Sequence, residues 1–479
     1  MSRISRRSFL SQSAVAASSI AFPNVIGLGQ SDYDTVILGG TVIDPETGLN
    51  AVRNVGIRGK TIAAVTSKSI KGKRTIPAKG LTVTPGFIDP ISHGQNMRND
   101  LVQVFDGVTT KLQMENGVED QDAWHKEQKG NRLCNYGAGC GHSHAREKFI
   151  TGVPDYNVAV ANDIQIAKMA NYLDKELSKG ALGMGFGLEY NPASTRWEVL
   201  EMFRVAGKHK VSCHVHTRYG TLLEEQSNLT AIQEIMSCAM ATGANAHIVH
   251  VPSMALGNTE KALTFIERAQ ARGFDITCDF YPYGAFGTGL ASEVFAPGWQ
   301  EKFGMTYKDL EWAKTHERLT EETFNKYREE GGFVIAHCIP ESAVRLAVQS
   351  KNCMVGSDGS LREGGVGHPR SSGTFCRVLG KYCRDEKLIP LPLAIKKMTI
   401  LAAKRFEARC PAFKKKGRIQ VGADADIAVF DFAKVIDRST YDEPAKTSEG
   451  MVWVLVNGVP VLANGSIASG RHPGTGLRA

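Results

Sequence analysis

Two periodicities divide this chain. From residue 33, "YDTVILGGTVID" and "NVGIRGKTIAAVT" put apolar side chains at alternate positions and break at Gly39, Gly40 and Gly59, the pattern of strands joined as hairpins. Near the other end "ADADIAVFDF" and "MVWVLVNGVPVLANG" repeat it, and Asn457 and Gly458 supply the left-handed backbone that a two-residue hairpin turn needs. The middle changes period. In "DIQIAKMANYLDKELSKGA", Ile166, Met169, Leu173 and Leu177 fall on one face of a helix that Gly180 closes. Helices of this kind alternate with eight short apolar runs: "LTVTPGFID", "GVTTKLQME", "NRLCNYGAG", "ALGMGFGLEY", "KVSCHVHT", "NAHIVHV", "FDITCDFYPY" and "NCMVGSDG". Eight such units predict an α/β fold, a (β/α)8 TIM barrel rather than an open doubly wound sheet. The barrel spans 85–412, and the two flanking stretches, 31–84 and 413–479, together build one small β-sandwich domain.

Length changes this picture little, because 479 residues suit one large core with an appendage. Residues 1–30 stand apart. Arg6 and Arg7 precede Phe9, Leu10 and a mildly apolar run, which resembles a twin-arginine export signal and predicts a periplasmic or other extracytoplasmic destination. After it, no apolar run reaches the roughly 18 residues of a membrane span. The net charge of +8 includes Arg3, Arg6 and Arg7 and is otherwise spread out, so it leaves no nucleic-acid footprint. Ten cysteines lack CxxC spacing and read as buried free thiols. Export of an already folded chain reconciles such thiols with that destination. The sequence says nothing about oligomeric state.

Barrels place their chemistry at the carboxyl ends of their strands. In order, those ends carry His93, Glu115, His142, Glu189 with Tyr190, His216, His250, Tyr281 with Tyr283, and Asp358. Packing does not call for such endings on apolar strands, and a ring of them points to an active site. His216 and His250 end consecutive strands and can converge on one ion to which Glu115 adds an oxygen, three ligands with a position left for water. Such an ion lowers the pKa of water toward 7 and polarises a carbonyl. Asp358 then takes the water's proton and returns it to a leaving nitrogen. His214 shares a strand face with His216 and is an alternative ligand, set second because it lies farther from the strand end. His144, His247, His337 and His368 read as surface or outer groups.

In order along the chain, "PGFIDPISHG", "DGVTT", "NYGAGCGH", "KGALGMGFGLEYNP", "HTR", "HIVHV", "DITCDFYPY", "VGSDG", "HPRSSGTFCRVLG" and "GRIQVGADADIAVFDF" make it similar to the amidohydrolase superfamily, and within it to the N-acyl-D-amino-acid deacylases. The resemblance implies a zinc-dependent barrel that hydrolyses the linear amide of a small N-acylated D-amino acid. It puts the firmly held metal on His216, His250 and a residue after the second strand, where many members have Cys and this chain reads "LQMENG"; Glu115 is preferred to Asn116 there. Paired histidines on the first strand are reduced to Ile91 and His93, which implies one tight ion and a second that is weak or absent. His93 then either hydrogen-bonds Asp358 or binds weakly, alone or with Gln95. Arg370, Tyr190, Tyr283 and His142 stand at substrate-contact positions, and Arg218 is a candidate substitute for a lysine replaced here by Pro252. Two rivals are a cyclic amide hydrolase of the dihydroorotase or hydantoinase kind, which would want a lysine at the end of the fourth strand, and an exported binding protein on a degenerate barrel.

Overall fold

The computed structural model describes residues 32–221, 223–468 and 470–479, so the expected export signal at residues 1–30 lies outside the described residues. All eight runs are strands: Phe87–Asp89 (β1), Val108–Val118 (β2), Asn135–Gly141 (β3), Gly183–Gly187 (β4), Ser212–His216 (β5), Asn245–Ile248 (β6), Ile276–Phe280 (β7) and Cys353–Val355 (β8). They pair in that order, each parallel to the next. A parallel bridge between Ser92 and Gly359 joins last strand to first, where the Asp358 N–H donates to the Ile91 carbonyl at 2.8 Å. The result is a nearly closed (β/α)8 barrel.

Strand alternation sorts the side chains. Cys213, Val215 and Ile248 pack outward against the helices. Leu112, Met114, Leu182 and Met354 fill the interior with Phe406 and Phe413, which plug the barrel below the site. The helix expected around Ile166 runs Asp163–Ser178 behind an Asn162 capping box, and Gly180 beyond it adopts φ 97°. Both chain ends feed one nine-stranded sheet. Thr82–Pro85 pairs with Ile427–Phe430, and Ile37, Val42, Val55, Ile57 and Leu455 form its apolar core. Asn457 and Gly458 take φ 50° and 76° in the tight turn between Met451–Val456 and Val459–Ala463.

One element has no counterpart in the sequence reading. Between β7 and β8 the chain makes a separate antiparallel sheet of Phe286–Gly289, Leu310–Trp312 and Phe333–Ala336, with short helices Trp299–Phe303 and Glu321–Glu330. Its strands are three or four residues long and two contain or follow glycine, too short to show a period. Aromatic packing holds it, with Trp299 stacked on Phe324 at 5.3 Å and Trp312 on Tyr327 at 4.4 Å.

Candidate metal centre

The barrel mouth opens into a cavity of about 320 Å³. Its floor gathers His93, Glu115, His216, His250 and Asp358, from the ends of five strands. Glu115 Oε1 lies 3.1 Å from His216 Nδ1, which is itself 3.2 Å from His250 Nε2. One donor atom from each of the three lies within 4.8 Å of the others, and all three residues are buried. Glu115, His93 and Asp358 meet the same limit. Close backbone approach makes this possible: a Cβ on Gly185 of β4 would stand 2.0 Å from the Glu115 carbonyl oxygen.

Three of the five floor residues are held from behind. His216 Nε2 donates to Glu189 at 3.0 Å, and the other Glu189 oxygen accepts from Lys302, carried by the helix Trp299–Phe303 of the inserted sheet. His250 Nδ1 meets the Ser253 hydroxyl at 2.8 Å, while the His250 N–H donates to Asp279 at 2.7 Å. Asp279 also accepts from His247 Nε2. Asp89 of β1 accepts from the Ser357 N–H at 2.9 Å and from its hydroxyl, fixing the residue before Asp358. His250 and Asp358 sit at φ 35° and 50°, left-handed backbone that non-glycine residues adopt only when their surroundings impose it.

The charges show what the floor lacks. Asp358 has Arg370 at 2.8 Å and Glu189 has Lys302, each a dedicated cation. Glu115 has none, and its buried Oε2 makes no hydrogen bond although His93 Nε2 stands 3.3 Å away. Burial would raise the Glu115 pKa, but His250 and His216 hold it well below the usual carboxylate value. The histidines answer. Burial opposes their charging, yet Glu115 and Glu189 lift His216 to about 9, and Asp358 and Glu115 lift His93 to about 10. Glu115 thus has imidazoles and no lysine or arginine for company, and one carboxylate with two imidazoles is a well-formed zinc set.

Other expected site residues separate into two groups. Tyr190 and Arg370 line the cavity; Arg370 spans Asp358 and the Gly287 carbonyl at 3.0 Å and lies over Tyr281. Three stand elsewhere. His142 is fully buried at 2.7 Å from Glu198, which Arg146 also grips, and its ring stacks on Phe186. Arg218 is committed to Glu234 through bonds of 2.9 and 2.7 Å and to the Pro192 carbonyl. Tyr283 lies behind His368, its hydroxyl 3.4 Å from the Pro369 carbonyl and its ring under Arg377, so Tyr281 lines the wall instead. His368 is not a surface group: it is buried in that wall, donates to the Ala285 carbonyl and accepts the Arg370 N–H at 3.0 Å. His214 lies a layer below the floor, stacked on Phe406. Phe286, Phe303 and Phe333 of the inserted sheet complete an apolar roof that the strand pattern gave no means of finding.

A model of the amidohydrolase family matches residues 192–462. D-aminoacylase from Alcaligenes xylosoxydans xylosoxydans is 30% identical over 93% of this chain and 98% of its own length. Among solved structures, N-acyl-D-glutamate deacylase from Bordetella bronchiseptica, complexed with zinc and a phosphonate that mimics the tetrahedral intermediate, superposes with a TM-score of 0.79 at 27% identity, covering 93% of this chain and all of that one. A D-aminoacylase structure concerned with a binuclear metal centre, activated by one metal and attenuated by the second, gives 0.77 at 27% identity, covering 94% of this chain and all of that one.

Proposed function

We propose, on the premise that the chain belongs to the amidohydrolase family and is a hydrolytic enzyme, that it deacylates N-acyl-D-amino acids with one zinc ion held by Glu115, His216 and His250. The observation that carries this is the meeting of those three side chains within 4.8 Å around a carboxylate oxygen with no partner. When bound there, zinc lowers the pKa of a water and polarises the amide carbonyl.

The remaining work falls to the chain itself. Asp358, its carboxylate steadied by Arg370 and by His93 at 2.9 Å, accepts the proton of the attacking water and passes it to the departing nitrogen. Tyr190 and the Arg370 side chain border the space in which the acyl group and carboxylate must lie. Ile91, buried in the barrel interior two residues before His93, offers no ligand, and Asp358 is already engaged by Arg370, so a second ion at His93 is held more weakly.

Two measurements decide this. Purified protein is expected to hold close to one equivalent of zinc and His250→Asn protein close to none. A panel of N-acetylated and N-formylated D- and L-amino acids, with and without added zinc, should show turnover of D-substrates only. Full activity in a metal-free preparation ends the reading, and turnover confined to cyclic amides replaces it.

A further inference from the structure

Arg370 and Lys302 are matched to Asp358 and Glu189, which leaves one cation bordering the cavity without a carboxylate. Arg362 lines the cavity, and among the described residues it pairs with no carboxylate. Its guanidinium carbon lies 4.9 Å over the ring of Phe333, on the inserted sheet. The backbone beneath is fixed: the Leu361 N–H donates to Asn99 Oδ1 at 2.7 Å, Asn99 Nδ2 returns a bond to the Leu361 carbonyl at 3.2 Å, and the Arg362 N–H closes a turn onto Val366 at 2.8 Å. A guanidinium stays charged under any working condition, is weakly hydrated, and offers a planar fork that matches a carboxylate. The residue itself is exposed at the rim of the cavity, and its guanidinium packs on the Phe333 ring from a fixed backbone.

We propose that Arg362 is a specificity-determining residue that receives a carboxylate of the substrate. The proposal rests on the amide-hydrolase reading above and sharpens it. Arg370 shares its charge with Asp358 at 2.8 Å and gives one nitrogen to the Gly287 carbonyl, whereas Arg362 has no carboxylate to share, although the buried Nε and Nη1 of Arg370 make no hydrogen bond. The carboxylate has two possible sources, the α-carboxylate of any N-acyl amino acid or the side-chain carboxylate of an acidic one.

Four substrates separate them: N-acetyl-D-leucine, its carboxamide, N-acetyl-D-glutamate and N-acetyl-D-glutamine. Wild-type zinc enzyme is expected to prefer the charged member of one pair, and Arg362→Met to lower that preference about 10–100-fold, the worth of a hydrogen bond to a charged group, while Arg362→Lys restores part of it. Loss of preference between leucine and its carboxamide assigns the α-carboxylate; loss between glutamate and glutamine assigns the side chain. An equal change across charged and neutral members, or none, overturns the proposal. The same four compounds titrated calorimetrically into zinc-loaded Asp358→Asn protein, with and without Arg362→Met, read the preference without turnover. An inactive wild type therefore sinks the hydrolase reading while the binding comparison still decides the role of Arg362.

Discussion

The floor and the roof of this cavity are built by different physics. Floor residues ride on barrel strands whose hydrogen-bonded register fixes their spacing, and three of the five have a partner behind them: Glu189 for His216, Asp279 and Ser253 for His250, Asp89 through Ser357 for Asp358. Roof residues ride on short strands and loops held by ring stacking and a few ion pairs, among them the bond from Lys302 to Glu189 that ties roof to floor. The candidate metal ligands, which tolerate little displacement, sit on the stiff part, and the apolar cover of the cavity on the part that insertions can reshape.

If that division holds, mutations should sort by layer. Glu115→Gln removes the one floor carboxylate without a cation and is expected to abolish zinc retention and lower kcat/KM by about 10³-fold or more, as loss of the ion's electrostatic help requires; metal analysis beside steady-state kinetics checks it. Asp358→Asn should keep its zinc yet lose roughly 10²–10⁴-fold in kcat. Burial would raise the Asp358 pKa, and Arg370, together with His250 and His93, more than offsets this and holds it below its ordinary value. A base must be deprotonated to work, so Arg370→Met should move the acidic limb of the kcat/KM profile to higher pH, and an unmoved limb would detach Asp358 from proton transfer.

The tie between layers is the next test. Glu189→Ala takes the partner from His216 and should weaken zinc binding by about 10–100-fold in a chelator competition. Lys302→Met, a change in the roof, should reproduce part of this, and Lys302→Arg should spare it; wild-type affinity in Lys302→Met would make the two layers independent. The smallest effect on catalysis belongs to Arg218→Met. With that guanidinium locked on Glu234, KM should stay within about twofold, while the stranded buried carboxylate costs about 3 kcal/mol in denaturant melts.

The floor was legible in the sequence because strand ends are legible: a short apolar run that stops at His216, His250 or Asp358 announces both the element and the direction of the side chain. Where a strand-end or loop residue turns away from the cavity, another side chain claims it. His142 ends a strand as the others do, but Glu198, 56 residues later, claims it, and Arg218 goes to Glu234 in the same way. Tyr281 and Tyr283 follow the same strand two residues apart, and their order of depth depends on His368, far along the chain. The roof left no period to read. Lys302 falls in an unremarkable "WQEKF", and nothing local says that it reaches a carboxylate 113 residues away.

His250 and Asp358 are held in left-handed backbone that costs on the order of 1–3 kcal/mol each. Glycine would relax both positions while erasing a proposed metal ligand and a proposed proton carrier. Directed evolution for heat resistance alone, with no demand for turnover, is therefore expected to drift toward glycine at these two positions and yield a sturdier but inert barrel.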